Sequence, residues 1–139
     1  MRQHHGTIAK KTRGQGCCDI SRDVAAFVAK SGVQDGLLTL LIQHTSASLT
    51  IQENADPDVQ LDLTSALGRL APESSHLYRH SAEGPDDMPA HIKAALTNVS
   101  LSIPVIDGQV RLGTWQGIYI LEHRQHGHAR RVACHIMGE

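Results

Sequence analysis

The chain has 139 residues, a hydrophobic share of 40%, a charged share of 19% and a formal net charge of -1. That length suits one domain with a proper core, and the near-zero charge excludes a strong field for nucleic acid or an anionic membrane. Four aromatic residues, Phe27, Tyr78, Trp115 and Tyr119, are too few for a base-stacking platform. No apolar run approaches the roughly 18 residues of a bilayer span. Met1 to Gly6 is not followed by an apolar core, so no secretory signal is expected and the chain reads as cytoplasmic. Cys17, Cys18 and Cys134 are odd in number and form no Cys-x-x-Cys pair. They argue for small packing residues rather than a disulfide framework or a zinc knuckle.

Thr7 to Lys11 reads as a short strand closed by the turn-like Arg13-Gly14-Gln15-Gly16, and a second strand over Cys17 to Ile20 completes a hairpin. Ser21 then caps a helix with apolar positions Val24, Phe27 and Val28, ending at Ser31-Gly32. Gly36 to Ile42 is almost continuously apolar, which predicts a strand covered on both faces. Ser48 to Gln52 alternates, as a half-buried strand does.

Asp56-Pro57 is a helix start, with a carboxylate to cap free N–H groups and a proline that has none to leave unpaired. Val59, Leu63, Ala66, Leu67 and Leu70 follow at helical spacing and predict one buried stripe. Ser74 to Pro85 lacks periodicity and reads as a long loop, a length that in a compact domain often carries function. Asp86 or Asp87 caps the next helix, whose expected apolar stripe is Met88, Ile92, Ala95, Leu96 and Val99, with His91 at its flank. Four strands follow, over Leu101 to Val105, Gln109 to Leu112, Gly117 to Glu122 and Arg130 to Ile136, as a meander. Asp107-Gly108 is a hairpin signal between the first two. This order predicts the α+β class rather than a doubly wound sheet.

Ten histidines are present. Three of them, His44, His80 and His91, lie beside carboxylates and small polar residues in different segments, the pattern from which a metal or acid–base site is built. Each also has a plain structural role available. His44 could be hydrogen-bonded within a turn, His80 could be an exposed loop residue, and His91 a satisfied, partly buried one. Asp56 and Asp87 are equally well explained as caps, and Trp115 as a core or interface filler. His4, His5, His76, His123, His126, His128 and His135 read as ordinary surface or strand residues.

The stretches Leu37 to Thr50, Glu53-Asn54-Ala55-Asp56-Pro57, Glu83 to Lys93 and Gly113-Thr114-Trp115-Gln116-Gly117 resemble the YjbQ family, the secondary thiamine-phosphate synthase enzymes. The match runs from about Gly36 to the C-terminus; the first thirty-odd residues agree only in pattern. The resemblance implies a single compact α+β domain over residues 1–139. It would hold a large, mostly antiparallel sheet or sandwich and about three helices, and assemble as a homotrimer.

Carried over residue by residue, the resemblance implies that His44, His80 and His91 hold a metal. Those three with Glu53 and Asp87 form the catalytic group, Asp56 is a further polar neighbour, and Thr114, Trp115, Gln116, Arg130 and Arg131 bind substrate. The implied activity joins a pyrimidine diphosphate to a thiazole phosphate with loss of pyrophosphate, as a weak secondary reaction on a small phosphorylated metabolite. Diphosphate departure favours magnesium, which prefers oxygen ligands, whereas three imidazoles suit zinc or another borderline ion. No Gly-x-x-x-x-Gly-Lys loop is present. A metal-dependent hydrolase and a non-catalytic metal- or metabolite-binding protein therefore stand beside the transferase reading.

Overall fold

Two antiparallel sheets and three helices make up the computed structural model, which describes residues 1–139. Its strands are β1 (Arg2–Lys11), β2 (Gly16–Asp19), β3 (Gly36–Ile42), β4 (Ala47–Glu53), β5 (Ser100–Ile106), β6 (Gln109–Val110), β7 (Gln116–Glu122) and β8 (Ala129–Gly138). The helices are α1 (Ser21–Ser31), α2 (Pro57–Leu70) and α3 (Asp87–Leu96). The five-stranded sheet runs β1-β8-β3-β5-β6 and the three-stranded sheet β2-β7-β4. This is the α+β class that the order of elements predicts. No helix is long and apolar enough to cross a membrane.

The core lies between the sheets. Leu38, Leu40 and Ile42 of β3, Val132, Cys134 and Ile136 of β8, and Ile103 and Val105 of β5 point in from one side. Ala47, Leu49, Ile118 and Ile120 meet them from the other, and Val24 and Val28 of α1 close one end. The period-2 pattern of each strand puts one set of side chains on this face.

Several expectations are corrected. β1 starts at Arg2, not Thr7, because its outer half still has β8 to pair with: Arg2 faces Gly138 and Lys11 faces Ala129. β2 makes no hairpin with β1. It pairs with β7, Gly16 opposite Glu122, because the chain crosses from one sheet to the other through Gly14 and Gly16, both at φ 138°. Such backbone is open to glycine and closed to most side chains. The closing meander is broken for the same reason, since β7 leaves its neighbours for the second sheet.

β3 is covered on one face only, with Leu37 42% and Leu41 45% exposed on the other. The strand buried on both faces is β7, where every residue from Gly117 to Glu122 is buried. Ser21 does not cap α1. Its hydroxyl accepts the Ile118 N–H, while Asp19 accepts the Ser21 N–H at 2.8 Å. Gly32 ends the helix at φ 73°, the left-handed position expected of it.

Asp56 caps α2 as expected, accepting the Asp58 N–H at 2.9 Å. The predicted stripe is not buried, however: α2 has no fully buried residue, and Leu70 is 69% exposed. The α3 stripe is rotated as well. Asp87, Pro89, Ala90, Lys93 and Ala94 face inward, and Leu96 is 58% exposed. Neither aspartate caps α3. Asp86 occupies the N-cap position without a side-chain cap bond, because its carboxylate is bound to Arg124 and to the Gln125 N–H. Asp107 and Gly108 turn the β5–β6 hairpin at φ 55° and 72°, the two positive values that a tight two-residue turn requires.

Candidate functional site

Turning Asp87 inward sets the site. Its side chain is 2% exposed, and its Oδ2 lies 2.6 Å from His80 Nε2 and 3.1 Å from His91 Nε2. His91 is one helical turn on from Asp87, so the same face of α3 delivers both. His80 is brought in by the 71–86 connection. The two imidazoles meet edge to face, 5.4 Å between ring centres. The donor atoms of His80, Asp87 and His91 all lie within 4.8 Å of one another.

Hydrogen placement here is constrained by simple chemistry. His91 Nδ1 is 2.9 Å from the Thr45 carbonyl, which can only accept, so Nδ1 carries the proton. A neutral His91 therefore turns the bare lone pair of Nε2 towards the Asp87 carboxylate. That arrangement is repulsive unless a cation stands there, either a second proton on the ring or a metal ion. Backbone capture of the remote nitrogen is also how metal-ligating histidines are oriented.

Arg124 completes the group. Its Nη1 is 2.9 Å from Asp87 Oδ1, its Nε is 2.9 Å from Asp86 Oδ2, and its Nη2 donates to the Glu83 carbonyl at 2.9 Å. Burial pushes the Asp87 carboxyl up, but the His80 hydrogen bond and the charges of His91 and Arg124 outweigh it and hold Asp87 below the usual carboxylate range. Asp86 is depressed in the same way, burial opposed by Arg124 and the Gln125 N–H.

His44 is not one of these donors. Its Nε2 accepts the Arg131 N–H at 2.9 Å, which ties the His44 loop to β8. Burial and the Arg130 charge lower its basicity, so the ring is held neutral and accepting. Arg130 is 4% exposed and paired with the fully buried Glu122, Nη2 to Oε2 2.5 Å. The same guanidinium reaches Ser46 Oγ at 3.1 Å. Thr12 donates to Glu122 at 2.6 Å and the Arg124 N–H donates to it at 3.1 Å. Arg130 thus ties Ser46 to Glu122 through Nε and Nη2, while the Arg131 side chain is exposed.

The remaining candidates gather elsewhere. β4 runs from Ala47, opposite Glu122, to Glu53, opposite Gln116. Six steps of about 3.3 Å put the two ends about 20 Å apart. Glu53 accepts the Asp56 N–H at 3.2 Å, and the Asn54 N–H donates to the Trp115 carbonyl at 2.9 Å. Gln116 Oε1 accepts the Gly113 N–H at 2.7 Å and so closes its own turn. Thr114 and Trp115 are exposed there, Trp115 by 64%. Within one copy this motif belongs to the opposite end of the three-stranded sheet from His91.

Sequence reading missed Arg124, Glu122, His123 and Lys93. His123 is no surface residue but 3% exposed, with Nε2 2.8 Å from Ser48 Oγ. Burial and the Lys93 charge lower it to about 4. Lys93 is 5% exposed, and burial depresses it too. The available signal was Glu122-His123-Arg124, three consecutive titratable residues after a strand of five apolar or small ones.

Comparisons with known proteins agree with this architecture. Residues 6–139 match the family model described as UPF0047 protein YjbQ-like. A UPF0047 protein of Synechocystis is 50% identical over 139 residues, covering 100% of this chain and 95% of that protein. The YjbQ protein of Escherichia coli O157:H7 is 50% identical over 107 residues, 77% of each chain. A crystal structure of a Clostridium acetobutylicum member of the yjbq/upf0047 family is 38% identical, with a TM-score of 0.87 over 95% of this chain and 99% of that one. A YbjQ-like protein of unknown function from Sulfolobus solfataricus shares the fold at 23% identity, with a TM-score of 0.89 over 99% of each chain.

Proposed function

The chain belongs to the UPF0047 (YjbQ-like) family, and from that premise and the site geometry we propose that it is a metal-dependent enzyme acting on a small phosphorylated metabolite. His80, Asp87 and His91 are the ligands in this reading. The observation that carries it is His91 Nε2 facing the Asp87 oxygen while Nδ1–H is already donated to the Thr45 carbonyl, an arrangement that calls for a cation between them. Two imidazoles and one carboxylate oxygen suit zinc or a similar ion better than magnesium. Three donors from protein also leave a fourth position free, the mark of a catalytic rather than a structural site.

A divalent ion there would supply Lewis acidity and a water of lowered pKa. The chain's own residues supply the rest. Arg124 anchors Asp87, and the Thr45 carbonyl fixes the His91 ring. His80, 45% exposed, stands on the solvent side, where it meets an incoming substrate. Hydrolysis of a phosphate ester fits this donor set most directly. The weak joining of a pyrimidine diphosphate to a thiazole phosphate is the secondary activity in the proposal, because two of the three Arg130 nitrogens are engaged with Glu122 and Ser46 and so are not available to a leaving diphosphate.

Assembly as a homotrimer is part of the same reading. Leu37, Leu41 and the 38% exposed Met137 form an uncovered apolar face on the five-stranded sheet. A second copy would cover it, and a neighbouring copy could bring the Gly113 to Gln116 motif towards the histidines.

Elemental analysis of untagged protein, followed by assays of metal-stripped and refilled samples, tests the proposal. The expected result is about one zinc-like ion per chain, lost in His91→Ala and Asp87→Asn, with phosphatase or thiamine-phosphate-forming turnover that returns on refilling. Metal without turnover across phosphorylated substrates would leave a binding protein. No metal at all would mean that the required cation is a proton.

A further inference from the structure

We propose that Arg124 is the specificity-determining residue of this site, selecting a small four-coordinate divalent ion by holding Asp87 to ligation through one oxygen. The inference rests on the metal reading above and goes beyond it, since it concerns which ion is taken and why.

A carboxylate can bind a metal through one oxygen or two, and large oxygen-loving ions use both. Calcium takes six to eight oxygen ligands, often with a bidentate carboxylate. Here the two Asp87 oxygens are assigned to different partners. Oδ2 faces His80 and His91, while Oδ1 is 2.9 Å from Arg124 Nη1. A metal that claimed Oδ1 would have to displace a guanidinium and stand beside its positive charge.

The guanidinium is poorly placed to move. Nε meets Asp86 Oδ2 at 2.9 Å, Nη2 meets the Glu83 carbonyl at 2.9 Å, and Nη2 also lies 3.4 Å from Asp86 Oδ1. Asp86 is itself fixed by the Gln125 N–H at 2.9 Å. All of these partners lie on one short segment, Glu83 to Asp87, which Arg124 gathers into the start of α3. A lysine has the charge but not the planar fork, so it cannot present separate nitrogens to Asp86, Asp87 and the Glu83 carbonyl. The donor set left to a metal is two nitrogens and one oxygen, close enough for ligand bonds of about 2.0–2.2 Å. That is a zinc-type set with one open position.

The geometry makes Arg124 a positioning residue, and a spectroscopic readout separates this role from mere structural support. Cobalt(II) added to metal-stripped wild-type protein should give the intense visible bands of a four-coordinate ion. Arg124→Gln and Arg124→Lys should both give the weak bands of five or six coordination. In both, binding of manganese(II), measured by electron paramagnetic resonance, should gain about tenfold or more relative to cobalt, the size usual for residues that orient metal ligands. The lysine variant separates geometry from charge, because it keeps the charge and should still lose the selectivity. Asp86→Asn, which loosens the anchor without touching Asp87, should move both readouts the same way by less, and it serves if the Arg124 variants do not fold. Wild-type protein that binds no cobalt overturns the metal reading itself. A wild type with four-coordinate cobalt and variants with unchanged spectra and metal preference, or a wild type whose cobalt is already five- or six-coordinate, overturns the role of Arg124 alone.

Discussion

Two acid–arginine groups meet at the end of β7, and they differ in one respect. Glu122 and Arg130 are closed: the carboxylate also holds Thr12 and the Arg124 N–H, the guanidinium also holds Ser46, and both side chains are almost wholly buried. Asp87 and Arg124 are open: the carboxylate is buried, but its second oxygen faces two histidines that reach solvent. The difference separates a strut from a candidate site. A carboxylate with both oxygens on donors has little left to bind with, whereas an oxygen faced by an imidazole whose other nitrogen is already spent as a donor has a position that a cation fills.

The comparison can be broken most forcefully at the closed end. Glu122→Gln should cost about 3–5 kcal/mol of unfolding free energy, because it leaves the Arg130 charge buried and uncompensated. Denaturant titration of the two proteins reads this directly, and a cost below about 1 kcal/mol would remove the distinction. Next in size is a pH effect from His123 beside this pair. Its folded value of about 4 lies below the ordinary 6.5, so the unfolded chain binds more protons between them. Stability should therefore be full above about pH 6.5 and fall as pH drops towards 4, by roughly 3 kcal/mol. Denaturation midpoints across that range, with His123→Asn flattening the slope, check the sign.

The open end should behave in the opposite sense. Asp87→Asn should cost only about 1–2 kcal/mol in folding, since Arg124 keeps its Asp86 and Glu83 partners, but it should weaken zinc or cobalt binding by about 100-fold. Calorimetric metal titration beside a melting curve compares the two losses in one sample. Two smaller tests sharpen the boundary with the remote Glu53 end. Asp56→Ala should cost about 1 kcal/mol, the worth of one helix cap. Trp115→Ala should change the stability of a single copy by less than about 0.5 kcal/mol, given its exposure. A larger Trp115 effect that depends on protein concentration would place that motif in a subunit contact.

Much of the fold was legible because local signals and tertiary structure agree. The Gly32 stop, the Asp56-Pro57 start and the Asp107-Gly108 hairpin each depend on a backbone requirement that one or two residues meet by themselves. The site was half legible. His80, Asp87 and His91 stand in adjacent segments, and the spacing of Asp87 and His91 puts them on one helix face. Arg124 was not legible, because nothing within thirty residues of it along the chain hints that Glu83 to Asp87 will fold against it. His44 reads like a ligand, but within one copy it lies outside the His80, Asp87 and His91 cluster and its Nε2 accepts the N–H of Arg131, a partner 87 positions away.

By itself the sequence determined the family, the α+β class, most of the elements and the residue types available for chemistry, since these follow from periodicity, turn residues and a run of specific motifs. Only the tertiary structure decided strand partners, the inward turn of α3, and which acid has both oxygens on donors and which keeps one oxygen facing two histidines. Those outcomes depend on pairing and burial between distant segments, where a side chain's charge has a role only once its neighbours have displaced the water around it.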